Sequence, residues 1–218
     1  MAEMKLPHLE SPAEEAANGI THALGIALSI AALAVLVVSS SSSGDPYRIV
    51  ACSVFGATLL IMYTASTVYH FVKSPQLKRE MRVFDHASMY LLIAGTYTPI
   101  VLVSLRGSWG WSLFGVIWAM AVFGVVTKIY LFDKFELLSV GLYIAMGWIA
   151  IVALNPLLAA VPTGGLAWIF SGGIAYTFGV IFFMWDHLPF NHAIWHLFVI
   201  GGSVCHFFAV LLYVIPAH

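Results

Sequence analysis

The chain has 218 residues, 61% of them hydrophobic and 9% charged, with a formal net charge of -1 and a mean hydropathy of +0.95. Soluble domains carry about a quarter of their residues charged, so this composition belongs to a membrane protein. No basic run is long enough to follow a nucleic-acid backbone, which excludes nucleic acid as a partner, and Cys52 and Cys205 sit inside apolar stretches where they set out no disulfide framework.

The chain starts with MAEMKLPHLESPAEEAANG (1–19), which is acidic and lacks the basic region, short apolar core and small-residue site of a cleavable signal peptide. It reads as an acidic cytoplasmic segment ahead of a single membrane domain over 20–215. A bilayer core takes about 20 mostly apolar residues per helix, and such stretches recur at 20–38, 49–72, 84–105, 109–132, 138–158, 166–185 and 191–215. Between them lie turn-forming stretches: SSSSSGDP, KSPQLKREMR, RGS, DKFE, NPLLAAVPTGG and DHLPFN. Backbone groups in lipid must be satisfied within the segment, and the apolar runs lack the alternation of a lipid-facing barrel strand, so the expected fold is an all-α bundle of seven transmembrane helices. Pro156 and Pro162 leave open a re-entrant dip between the fifth and sixth spans.

If the spans alternate, Lys5, Lys73, Lys78, Arg79, Arg82, Lys128 and Lys134 share one side, and Arg48 and Arg106 the other. Basic residues collect on the cytoplasmic side, so the N-terminus is expected inside and the C-terminus outside.

That orientation brings ionisable residues, which are costly at membrane depth and usually mark a site, to one level. His70 ends the second span with Ser66 one turn deeper; Asp85 and His86 open the third in FDHASM; His192 and His196 open the seventh in NHAIWHLF. Imidazoles at i and i+4 project from one helix face, and His70 would make a third nitrogen ligand. Zinc suits such a set, with one tetrahedral position left for a water that Asp85 could orient or deprotonate. Histidines at this spacing could instead hydrogen-bond to carbonyls of neighbouring helices, and Asp85 could cap the third span or pair with Arg82. His22 lies at the same depth on the first span, a candidate to support the site, while His86 points about 100° away from Asp85 and serves packing or a separate hydrogen bond. His206, about 15 Å beyond His196, is too far to share a metal and reads as a core hydrogen-bonding residue or a contact to a bound lipid. Asn191 and Pro189 can start the seventh helix, and Trp195 suits an interfacial depth.

The stretches EEAANGITHALG, ASTVYHF, FDHASMYLLIAGTYTP, SGGIAYTFG and HAIWHLFVIGGSVCHFFAV resemble the hemolysin III family, the bacterial branch of the progestin and adipoQ receptor family, from about residue 14 to 212. The resemblance implies a multi-pass protein of the bacterial cytoplasmic membrane with an inward N-terminus. It also implies a zinc ion held by His70, His192 and His196, with Asp85 and Ser66 beside it. The wider superfamily, with its alkaline ceramidases, implies hydrolysis of lipid amides.

Three functions compete. One is a zinc-dependent hydrolase of a membrane lipid amide or ester; the second is a receptor-like sensor of membrane lipid state with structural zinc. The third is a pore-forming cytolysin, as the family's name has it, which the apolar circumference of most spans disfavours. No protein partner is implied. A retinal pump would need a lysine within a span, whereas Lys128 lies at a helix end, and a haem protein would want histidines facing each other from separate helices.

Overall fold

A computed structural model describes residues 10–131 and 136–216; Lys5, His8, Lys134, His218 and residues 133–135 of the DKFE turn lie outside the described residues. Helix α1 (Pro12–Ser41) begins well ahead of the boundary at 20 that hydropathy sets. Ser11 accepts the Glu14 N–H at 3.3 Å, the Glu14 carboxylate accepts the Ser11 N–H at 2.8 Å, and Pro12 follows at the first helical position. This capping box makes the acidic stretch helical without any apolar face.

Helix α2 (Pro46–Phe71) starts behind Asp45, whose carboxylate accepts the Tyr47 N–H at 3.0 Å and pairs with Arg106 at 3.1 Å. Helix α3 (Pro75–Pro99) corrects two expectations. The stretch KSPQLKREMR is helix from Pro75 onward, because Gln76 to Arg82 are nearly all strong helix formers behind a proline at the first position. Asp85 therefore lies well inside the helix and is not a cap. Past Pro99 the chain loosens into a π-helical turn, Ile100–Ser104.

Helix α4 is Ser108–Leu131. The fifth span is broken: α5 (Glu136–Trp148) tightens into a 3-10 turn, Ile149–Ala153, before α6 (Leu154–Ala160). Pro156 in the first turn of α6 has no N–H to bond backward and its ring crowds the carbonyl one turn before it, which fits the irregular turn just ahead of α6. Only Val161 and Pro162 then separate α6 from α7 (Thr163–Phe183), a plain short join with no re-entrant dip. Helix α8 (Asn191–Ala209) ends in a second π-helical turn, Val210–Val214. Asn191 is its first residue, and the residue before it, Phe190, takes the left-handed φ of 58°.

Seven helical segments are long and apolar enough to cross a membrane, and the described residues contain no strand. The fold is an all-α seven-helix transmembrane bundle. Helix α1 lies along α2, α2 along α3 and α7 along α8, while α1 also meets α8 and so brings the two ends of the chain together. Lipid offers no hydrophobic drive for helices to associate, so close approach over small residues has to supply the packing. Gly25 faces the ring of Tyr63 and Gly124 the ring of Tyr90, each leaving no room for a Cβ. The interior holds Phe55, Leu59, Met62, Tyr90 and Leu92, whereas Ile20, Leu24, Leu28, Val122 and Phe123 are exposed where acyl chains would lie.

Tyr90 is fully buried, so Gly124→Leu should force it off its site at a cost of about 1–3 kcal/mol. A lowered thermal unfolding midpoint in detergent checks this; an unchanged midpoint would mean that α3 and α4 are not packed as described.

Candidate metal centre

His70 lies in the last turn of α2, and His192 and His196 lie one turn apart at the start of α8. One nitrogen from each of the three rings falls within 4.8 Å of the others. The ring centroids are 5.0 Å apart for His70 and His192, 5.2 Å for His70 and His196 and 4.5 Å for His192 and His196, all edge to face. Edge-to-face rings spread around a common point instead of stacking over one another.

Helix α1 and Glu10 just ahead of it decide which nitrogen each ring offers. The His70 Nδ1 lies 2.8 Å from a Glu15 carboxylate oxygen and the His192 Nδ1 3.1 Å from a Glu10 oxygen. The His196 Nδ1 lies 3.1 Å from the backbone carbonyl of Asn18 and 3.2 Å from the Thr21 hydroxyl. Carboxylate and carbonyl oxygens only accept, so in the neutral rings the proton sits on Nδ1 and the Nε2 lone pair is left free. The Nε2 of His70 is buried with no hydrogen-bond partner. An orphaned imidazole nitrogen facing two others, each braced on its far side by oxygen, fits a divalent ion of zinc's preferences.

A second group, Glu10, Glu15 and His70, is as tightly gathered, but its atoms are already committed. Glu15 accepts from Lys78 at 2.6 Å as well as from His70, and Glu10 accepts from the Asn18 amide at 2.6 Å as well as from His192. The three-histidine group is the one with donor atoms to spare.

Asp85 is buried on α3 with its carboxyl group turned toward Ser66 and His192. The Ser66 hydroxyl is fully buried and closes no hydrogen bond among the described residues. His22 stacks on His196, with ring centroids 3.4 Å apart and planes 13° apart, and stands edge-on to Tyr63 at 5.0 Å; both its nitrogens are buried without a hydrogen-bond partner. It buttresses the cluster from α1. The His86 ring stands apart from the histidine cluster and lines a cavity, while its carbonyl accepts the Tyr143 hydroxyl at 2.7 Å. Trp195 turns inward, against Phe183 and that same cavity.

The cavity begins at Asp85, His192 and His196 and ends among Ile100, Leu157 and His206, walled by α3, α5, α6, α7 and α8. Asp85 on α3 and Ile100, the first residue of the turn that continues it, are fifteen residues apart, about 22 Å at the α-helical rise. The free volume is about 140 Å³, room for roughly ten water-sized groups, and the walls between the polar ends are residues such as Leu92, Ile93, Ile169 and Phe170.

Glu10, Glu15, Asn18 and Thr21 had no place in the sequence-based site. Their signal is the helical spacing of Glu15, Asn18 and His22 in EEAANGITH, visible once the helix is known to begin at Pro12.

A seven-helix membrane protein with a metal-competent histidine cluster at the mouth of an apolar cavity is a narrow class. A family profile described as Haemolysin-III related matches residues 11–207. The chain is 46% identical over 203 residues to Hemolysin-3 of Bacillus cereus, covering 93% of each chain, and 44% identical over 200 residues to the Hemolysin-3 homolog of Bacillus subtilis (strain 168), covering 92% of this chain and 94% of that one. Against the human Monocyte to macrophage differentiation factor it is 31% identical over 209 residues, 92% of this chain and 84% of that one. The chain belongs to the hemolysin III family, with relatives among the progestin and adipoQ receptors. It is a multi-pass integral membrane protein, in bacteria a protein of the inner membrane.

Removing an outer partner of a metal-bound histidine typically costs 10- to 100-fold in metal affinity. Glu15→Ala should weaken zinc binding by about that factor while the helix content of the detergent-solubilised protein stays unchanged. Competition with a chromophoric chelator measures it, and wild-type affinity in the variant would show that Glu15 does not support the cluster.

Proposed function

We propose that the protein is an intramembrane zinc-dependent hydrolase acting on an amide or ester bond of a membrane lipid, with its centre near the cytoplasmic face. The observation that carries this reading is the orphaned Nε2 of His70, facing His192 and His196 at the mouth of a cavity long enough for an acyl chain. His70, His192 and His196 would hold the ion, which when bound supplies Lewis acidity toward a carbonyl oxygen and acidifies water.

The chain's own groups supply the rest. The apolar walls place the lipid tail and leave its polar linkage at the histidine end. Asp85, desolvated beside His192 and Ser66, takes the proton of the attacking water and returns it to the leaving amine or alcohol. The Ser66 hydroxyl, buried beside the Asp85 carboxyl group, can donate to negative charge developing on the carbonyl oxygen. Glu15, Glu10 and the Asn18 carbonyl hold the imidazoles in one tautomer and orientation.

A second reading, a receptor-like regulator of lipid state with a structural ion, draws support from the way the cluster and its braces tie α1, α2 and α8 into one knot. A pore, which the names of the bacterial relatives bring to mind, has less support, since a pore needs a continuous polar lining and this cavity is walled by apolar side chains between its ends.

Metal analysis and a screen of lipid amides and esters separate the readings. Wild-type protein should hold about one zinc per chain and cleave a member of the panel. His196→Ala should lose the metal, and Asp85→Asn should keep it while turnover falls by about 10²- to 10⁴-fold. Zinc-loaded wild type that cleaves nothing, or Asp85→Asn that cleaves at the wild-type rate, would remove the hydrolase reading and leave the regulator.

A further inference from the structure

We infer that the far end of the cavity carries a second recognition point, built from His206, Tyr176 and Ser203, that receives a neutral hydroxyl group borne partway along the ligand's hydrocarbon chain. This rests on the reading of the cavity as an acyl-chain site, and it adds a chemical selectivity that an apolar tunnel alone would lack.

His206 sits on α8 about 15 Å past His196. Its side chain lines the cavity, it is 7% exposed, and its Nδ1 is buried without a partner. An unpaired ring nitrogen is costly in a hydrocarbon interior, and leucine would fill the space without that cost. The ring is also held in place: it lies along Tyr176 with centroids 5.5 Å apart and planes 24° apart, and a Cβ at Gly172 would collide with it.

Beside it runs a chain of hydroxyls. Tyr63 donates to the Ser203 oxygen at 2.9 Å, and the Ser203 and Tyr176 oxygens are 2.9 Å apart. Three hydroxyls bring three protons to two hydrogen bonds, so one proton is left without an acceptor among the described residues. The unpartnered imidazole nitrogen accepts in one neutral tautomer and donates in the other. Together with a spare donor it matches a hydroxyl, which can both accept and donate, in either tautomer, whereas a ketone, which only accepts, would leave the nitrogen unpaired in one of them. Among the described residues no ion pair reaches the His206 ring and the cavity walls around it are Ile100, Leu157 and Ile169, so a carboxylate or ammonium group would be left uncompensated there.

The test uses full-length protein purified in detergent, with stearic acid and a mid-chain hydroxystearic acid as probes and calorimetric titration as the readout. Wild type should bind the hydroxylated acid about tenfold more tightly, the worth of one or two buried hydrogen bonds. His206→Phe should retain stearate binding and lose the preference, and Tyr176→Phe, which leaves the packing intact, should reduce it. Equal affinities in wild type, or a preference that survives in both variants, would overturn the inference while leaving the acyl-chain cavity standing. Failure of both acids to bind would overturn the two together. A hydroxyl preference in a protein that hydrolyses no lipid would uphold the recognition point and count against the hydrolase.

Discussion

An imidazole ring within a bilayer has two nitrogens to satisfy and no water to satisfy them, and the bundle end that carries His70, His192 and His196 is organised around that demand. The first turns of α1 and the residue just ahead of its cap meet half of it. Glu15 and the Asn18 carbonyl on α1 and Glu10 before Ser11 each take one nitrogen, so all three rings are braced from the start of the described chain. The position of α1 is in turn fixed by Glu14, which closes the capping box with one carboxylate oxygen and accepts the Phe190 N–H at 3.1 Å with the other. That second bond falls where the chain takes its left-handed turn into α8, and Lys78 ties α3 to the same group through Glu15. Exposed ion pairs contribute little to stability, but these carboxylates are partly buried and hydrogen-bonded to fixed donors, where geometric control outweighs their energy.

Among the buried polar atoms left unpaired, which also include Arg48 Nε and the Tyr90 hydroxyl, a group gathers around the histidine cluster. Hydroxyls elsewhere in the spans fold back on their own helices: Ser29 donates to Ile26, Thr96 to Leu92, Thr98 to Ala94 and Thr177 to Gly173. Such bonds make a polar side chain tolerable in lipid and carry no functional message. By contrast, the unpaired nitrogens and oxygens of His22, Ser66 and His70 gather at one bundle end, and the His206 nitrogen lies at the other end of the cavity that starts there. Buried polar groups normally find partners, so the exceptions that border this cavity, at His22 and His206, point to partners that come from outside the chain.

Hydropathy makes the seven spans legible because it measures partition into lipid, and it misplaces their ends for the same reason. The helical turns at Pro12–Gly19 and Pro75–Arg82 are polar, stabilised by a capping box in one case and by strong helix formers in both, and partition says nothing about them. The three histidines were legible from an i, i+4 pair and a matching depth on α2. Their braces were not, since Glu10 and Glu15 belong to a segment that composition alone reads as a tail. Asp85 was found for its depth, but its distance from the start of α3 depends on the helix being longer than its apolar part. Phe190 in a left-handed conformation has no local signal at all; it is set by the Glu14 carboxylate reaching it from the far end of the sequence.

The balance between a catalytic and a purely structural ion turns on what closes the fourth side of the cluster. Structural zinc sites are closed by four protein ligands, whereas catalytic ones keep a position open. Among the described residues no fourth histidine, cysteine or carboxylate joins His70, His192 and His196 in their group. His22 comes nearest, yet it presents its face to His196 in a stack and so offers no lone pair in that direction. Asp85 lines the apolar cavity together with His192 and His196, two of the three histidines, so one side of the cluster faces that cavity with an acid at its edge. A clamp between helices has no need of such an opening, whereas a hydrolase that must bring a lipid's polar linkage to the ion has a direct use for it.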